Sequence, residues 1–213
     1  MKERIFSVIY MFFLTLIFTS VVSLVKYVNA EKIRLNEEVK LQAVVLDALG
    51  IGQPEGVSRN ETVTALFGER VRRIEGEERT IYAGYDEKGD EIVGYAFPAG
   101  GPGFWGPIEA MVGVDAGVTE VVGVSFPRHS ETPGLGARMT EPQFRDQFQG
   151  LPLRKSGGDA VYFRLVAPGS ADRPGELDAI TGATMTSKAI ERFLNRELDS
   201  FVAAAPRSRT GRE

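Results

Sequence analysis

Apolar and polar positions change their spacing twice along the chain. From Ile5 to Val25 no charged side chain occurs over 21 residues. A helix rises about 1.5 Å per residue, so this run reaches roughly 30 Å, the thickness of a bilayer's hydrocarbon core. Lys2, Arg4 and Lys26 flank it. The pattern predicts a retained single-pass transmembrane anchor over residues 1–30. Val28-Asn29-Ala30 resembles a small-residue cleavage site. A signal peptide's apolar core, however, spans only about 7–15 residues, shorter than this one. From Glu31 to Leu49, the residues Leu35, Val39, Gln42, Leu46 and Leu49 share one side of a connecting helix that stops at Gly50. Gly52 to Asn60 is a polar, Gly- and Pro-containing break, so 31–60 reads as connecting helix and linker. Thr62 to Glu78 fits a short helix or a strand equally well.

From Thr80 the period shortens to two. Thr80–Tyr85 and Glu91–Phe97 flank a glycine-containing loop at 86–90 and predict a hairpin. Ile108–Val114 and Val118–Phe126 flank Asp115-Ala116-Gly117 and predict another. Between them, Gly100 to Pro107 reads as a rigid irregular loop, and it carries Trp105, the only tryptophan. Glu141–Phe148 is a short helix with Phe144 and Phe148 one turn apart. Gly150–Asp159 is a loop, Val161–Val166 a strand, and Pro168–Gly175 a flexible lead. After Ser187, the residues Ile190, Leu194, Leu198 and Phe201 recur at helical spacing, flanked by Phe193. The expected body is therefore an α+β domain over 61–204, a twisted antiparallel sheet with helices packed on it. The small, basic tail 205–213 is expected to be disordered.

Composition narrows the chemistry. The formal charge is −4 for the whole chain, and the first thirty residues carry +2 of it. The remainder is acidic, which argues against a nucleic-acid partner. No cysteine occurs, which excludes disulfides, Cys nucleophiles and thiolate-held iron–sulfur clusters. With His129 as the only histidine, a multi-histidine metal site cannot be built. A structural hydrogen bond suits it better than proton transfer. Neither a catalytic residue nor a metal ligand is assigned.

Chemistry concentrates in Asp178-Ala-Ile-Thr181-Gly182-Ala183-Thr184-Met-Thr186-Ser187, just before the amphipathic run. Free N–H groups and the dipole at a helix start attract anions, and a glycine there permits close approach. The stretch therefore reads either as a Thr/Ser-rich helix cap with no ligand or as a phosphate cradle. Upstream, His129-Ser-Glu131-Thr132-Pro133-Gly134-Leu135-Gly136 contains Thr-Pro-Gly, which predicts a type II turn. Glu131 and Asp178 could form an acid/base pair, but nothing in the sequence sets their geometry.

Asp-x-x-Thr-Gly-Ala-Thr, followed by a second Thr at 186, resembles the flavinylation motif of the FMN-binding domain family, which includes the G subunit of Rnf and the C subunit of Nqr. His-x-Glu-Thr-Pro-Gly-Leu-Gly is similar to that family's second signature, in the right order and at the right spacing. The resemblance implies FMN joined by a phosphoester to Thr184, with Asp178, Thr181, Gly182 and Ala183 recognised by a flavin transferase. It implies that Glu131, Thr132, Pro133, Gly134, Leu135 and Gly136 lie against the flavin ring, with Thr132 and Leu135 touching it. Gly103-Phe104-Trp105 resembles the Gly-Leu-Trp of Nqr-type domains and implies a loop beside the flavin. The implied protein is an electron-carrying subunit of a membrane-bound ion-translocating complex, not a stand-alone enzyme. Its partners would be other membrane subunits, and its soluble domain would face the periplasm from the inner membrane. Thr-Gly-Ala-Thr leans toward Rnf and Gly-Phe-Trp toward Nqr. An extracytoplasmic flavoprotein reductase and a non-flavinylated assembly protein are the readings from other classes.

Overall fold

The computed structural model describes residues 2–52, 59–75, 79–155 and 161–204. It divides into two compact units, Met1–Lys40 and Leu41–Glu213. Helix α1 runs without a break over Lys2–Ala48. The expected anchor and connecting helix are thus one element. The reason is local: no Gly or Pro precedes Gly50, and the charged stretch after Lys26 is made largely of good helix formers. From Ile5 the helix is long and apolar enough to cross a membrane. It ends where Gly50 adopts φ +67°. Of the apolar positions expected on one side, Leu46 and Leu49 are buried, whereas Leu35 is exposed.

In the second unit, the ambiguous stretch resolves into α2 (Arg59–Arg70) and β1 (Val71–Glu75). Strands β2 (Thr80–Tyr85), β3 (Ile92–Pro102), β4 (Pro107–Asp115) and β5 (Val121–Arg128) follow. They form an antiparallel five-stranded sheet in sequence order. Two expectations need correction here. Gly100–Pro102 is strand and not loop: it pairs with Pro107–Glu109, which leaves only 103–106 as the connection. The strand after the Asp115 turn begins at Val121 and not at Val118. The Asp115 carboxylate accepts the N–H groups of Gly117, Thr119 and Glu120 and the Thr119 hydroxyl. Those bonds wrap the chain, and Val118 takes φ +54°.

After β5, α3 (Pro142–Arg145) is continued by a 3₁₀ turn over 146–148. Phe144 and Phe148 meet edge to face, with ring centroids 5.5 Å apart. The expected strand over 161–166 is shorter, β6 (Arg164–Val166), and it pairs in parallel with β7 (Glu176–Asp178). Helix α4 (Thr184–Ala204) closes the described chain. The tail 205–213 and most of the 52–60 break lie outside the described residues.

Both faces of the sheet are covered over its inner strands, while β1 stays mostly exposed at the edge. On one face, α4 buries Ile190, Phe193, Leu194, Leu198 and Phe201 against β3 and its neighbours. Phe201 stacks on Phe97 at 4.1 Å. Each such side chain contributes about 1.5–3 kcal/mol. Phe193, read as flanking the stripe, lies at its centre: a Cβ on Gly101 would stand 2.6 Å from its own Cβ. On the other face, the end of α1 rests on four glycines in four successive strands. A Cβ on Gly84 would meet Leu49 at 3.0 Å, and one on Gly113 would lie 1.9 Å from the Ala48 carbonyl oxygen. Gly94 and Gly123 line the same seat. The Asp47 carboxylate fastens it, accepting from the Ser125 hydroxyl and, at 2.5 Å, from Arg145 Nη1.

Because backbone and not a flexible side chain meets it, Gly113→Ala should destabilise the domain by about 1–3 kcal/mol or more. Thermal denaturation should show this as a lowered midpoint. An unchanged midpoint would mean that α1 does not seat as described.

Candidate functional site

Three segments distant in sequence converge at one end of the sheet: the β3–β4 connection, the chain after β5, and the start of α4. Glu131, only 5% exposed, joins them. Its Oε1 accepts the backbone N–H of Phe104 at 2.7 Å and of Trp105 at 3.1 Å. Its Oε2 accepts the Thr186 hydroxyl at 2.7 Å. The Glu131 N–H donates to His129 Nδ1 at 3.2 Å, the structural bond expected of that histidine.

The Thr-Pro-Gly signal produces the predicted turn. Leu135 N–H donates to the Thr132 carbonyl at 3.1 Å, and Gly134 takes φ +74°. Pro133 and Gly134 form its exposed apex. Gly136 is buried where a Cβ would lie 2.7 Å from both Glu131 Oε2 and Thr186 Oγ1.

The hydroxyls before and within α4 are sorted by helix geometry. Gly182 has φ +76°, and the Ala183 N–H closes a turn onto Ile180. Successive helical residues point about 100° apart, so side chains two apart face nearly opposite ways. Thr184 and Met185 face outward, while Thr186 and Ser187 face inward. Ser187 Oγ donates to the Ala183 carbonyl and accepts the Ile180 N–H, both at 3.0 Å. Thr186 goes to Glu131. Within the first turn of α4 the exposed hydroxyl is therefore that of Thr184.

Phe104, Trp105, Glu131, Thr132, Leu135, Gly136, Gly182, Ala183, Thr184, Met185 and Thr186 line a cleft of about 280 Å³. Its rim is apolar and open. Phe104 is 55% exposed and Trp105 67%, the two rings meeting edge to face at 5.1 Å. Leu135 and Met185 are also exposed. No Lys, Arg or His is among the described lining residues. Such a cleft offers a flat apolar surface at one side and a helix N-terminus with a hydroxyl at the other. It suits a planar ring bearing an anionic tail and fits part of a flavin nucleotide, since whole ligand pockets span about 300–1,000 Å³.

Asp178 and Thr181 line a neighbouring cavity of about 350 Å³, with Arg138 and Gln147. Asp178 Oδ1 accepts the N–H groups of Gly169, Ser170 and Ala171, and its own N–H donates to Gln147 Oε1 at 2.6 Å. The two carboxylates weighed as an acid/base pair thus line different cavities, and each gathers N–H donors. Met185 and Thr186 line the cleft without being among the residues that the motifs assign to it. The signal for Thr186 was present, because it extends the Ile190–Leu194 stripe back by one turn.

Residues 103–199 match the FMN-binding domain family model, which bears out the resemblance read from the two motifs. The G subunit of an ion-translocating oxidoreductase complex from Methanosarcina acetivorans is 35% identical over 123 residues, 58% of each chain. The C subunit of the Na⁺-translocating NADH-quinone reductase from Yersinia pestis is 31% identical over 107 residues, 50% of this chain and 40% of that one. The G subunit of a proton-translocating ferredoxin:NAD⁺ oxidoreductase complex from Clostridium ljungdahlii is 29% identical over 143 residues, 66% of this chain and 70% of that one. The match therefore spans about half the length of the first two of these relatives. The fold is that of a solved C subunit of the Na⁺-translocating NADH-quinone reductase from Parabacteroides distasonis. That structure has a TM-score of 0.66 at 24% identity, over 84% of this chain and 96% of that one.

Thr186→Val should cost about 1–3 kcal/mol, because it leaves a buried carboxylate oxygen without its donor. Thr184→Val, at an exposed position, should stay within about 0.5 kcal/mol. Chemical denaturation of both variants checks the inward and outward assignment, and equal losses would refute it.

Proposed function

From the match of residues 103–199 to the FMN-binding domain family, we propose that the chain is a membrane-anchored electron-transfer subunit of an ion-translocating oxidoreductase complex. It is of the Rnf G-subunit type and carries FMN joined by a phosphoester to Thr184. The observation that carries this reading is the placement of Thr184. Its exposed hydroxyl stands at the first residue of α4, in a cleft walled by Phe104, Trp105, Leu135 and Met185.

The lining supports a covalent link. With no cationic side chain among its described residues, the cleft holds a phosphate only through backbone N–H groups and the helix dipole. The dipole supplies about 0.3–1 kcal/mol at an exposed site, so the lining gives a phosphate no strong charge-based hold. A phosphoester removes the need for affinity. When bound, the flavin supplies the electron-transfer chemistry; the protein positions it and tunes it. Here Gly182 and Ala183 bring backbone up to the phosphate. Thr132, Leu135, Phe104 and Trp105 flank the ring.

Thr181, Gly182 and Thr184 are exposed, so a flavin transferase has access to the segment that it modifies. Asp178 shapes that segment from behind by holding 169–171. Helix α1 anchors the protein in the inner membrane, with the domain on the periplasmic face beside the other members of the complex. Thr-Gly-Ala-Thr and the 35% identity to a G subunit support the Rnf type. The Gly103-Phe104-Trp105 likeness favours an Nqr-type C subunit as the second reading.

The full chain, produced with a flavin transferase, should gain the mass of one FMN less one water, the balance of forming a phosphoester, on the peptide that contains Thr184. Thr184→Ser should keep this adduct, and Thr184→Val should lose it while remaining folded. Intact-mass and peptide spectrometry read the outcome. An unmodified chain, or an adduct on another side chain, refutes the proposal.

A further inference from the structure

We propose that Glu131 is a positioning residue for the bound flavin. It latches the three walls of the cleft into one preformed shape and leaves an uncompensated negative charge on the cleft lining. The latch is built from bonds that bridge long stretches of chain. Oε1 takes two N–H groups 27 and 26 residues upstream, and Oε2 takes a hydroxyl 55 residues downstream, two positions after Thr184. These bonds tie the exposed Phe104–Trp105 pair to the first turn of α4. The space around the carboxylate is reserved for it. A Cβ on Gly103 would lie 2.5 Å from Oε1, and one on Gly136 would lie 2.7 Å from Oε2. Any other residue at either position would push the latch apart.

The carboxylate is held by dipoles and not, among the described residues, by a counter-cation. Buried carboxylates are ordinarily compensated by a cation. Among the described residues Glu131 pairs with none, and only N–H and O–H dipoles satisfy it. A loop staple alone would not require a charged group, since a glutamine amide oxygen accepts the same two N–H groups. A carboxylate on the lining makes it harder to add an electron to a ring held there than an amide of the same shape would. Glu131 therefore holds the midpoint potential of the flavin below the value that the cleft would otherwise set. This half of the proposal rests on the reading that the cleft carries FMN; the latch does not.

Two measurements separate the halves. Hydrogen exchange is followed on the full chain in detergent, made without a flavin transferase and therefore without FMN. In Glu131→Ala, the Phe104 and Trp105 amides should exchange about tenfold faster or more, the rate equivalent of one lost hydrogen bond. In Glu131→Gln, whose neutral oxygen still accepts both N–H groups but less strongly, they should rise less than in Glu131→Ala. If the alanine variant does not fold, Thr186→Val cuts one arm of the latch and should raise the same two rates severalfold. Unchanged exchange in the variant that folds overturns the latch. On the flavin-loaded chain, spectroelectrochemical titration should give Glu131→Gln a more positive midpoint potential than the parent. An equal or more negative value overturns the charge. A chain that carries no FMN sinks the cofactor reading and the charge together, while the exchange rates still decide the latch.

Discussion

A carboxylate taken out of water has to recover its hydrogen bonds from the chain. At Glu131 that requirement gathers the site. Its donors come from the β3–β4 connection and from α4, elements with no local reason to meet. Satisfying one buried group therefore fixes where two exposed aromatic rings stand relative to a helix start. The cleft exists because the polar group beneath it is fully used, and because two glycines leave room for it.

The sheet beneath obeys a different constraint. The four strands β2–β5 carry most of the sheet's buried residues and need two partners, and this chain supplies them by contrasting means. Helix α4 packs with side chains, Phe201 against Phe97 and Phe193 over Gly101. The end of α1 packs with backbone, the Ala48 carbonyl lying over Gly113 and Gly123. Close approach without side chains brings dispersion contacts, set against the large backbone entropy that each glycine loses, and it tolerates no added atoms. The same helix that supplies the bilayer-length apolar run therefore ends as part of the domain's core.

Much of this was legible in local patterns. The uncharged run, the two hairpins, the Thr-Pro-Gly turn and the stripe of α4 each depend on spacing or on turn chemistry over a few residues. They occur close to where the spacing put them, with the second hairpin's return strand starting three residues later. The misread stretches have different causes. Gly100–Pro102 has loop composition but is held as strand by pairing with β4, so a bond to another strand outweighs local preference. Val118 has strand composition but is held in a turn by Asp115, whose carboxylate gathers donors from the next five residues.

By itself, then, the sequence determined the elements whose period or turn residues are self-contained, and the motif residues whose resemblance names a flavin site. Only the tertiary structure decided which hydroxyl of the Thr184–Ser187 cluster faces outward and which is spent on Glu131. It also decided that Asp178 and Glu131 serve different cavities, and that four separated glycines form one seat for α1. The physical reason is that exposure and close approach belong to pairs of segments. They are settled by strand register and helix packing across tens of residues, and no local window of sequence contains both partners.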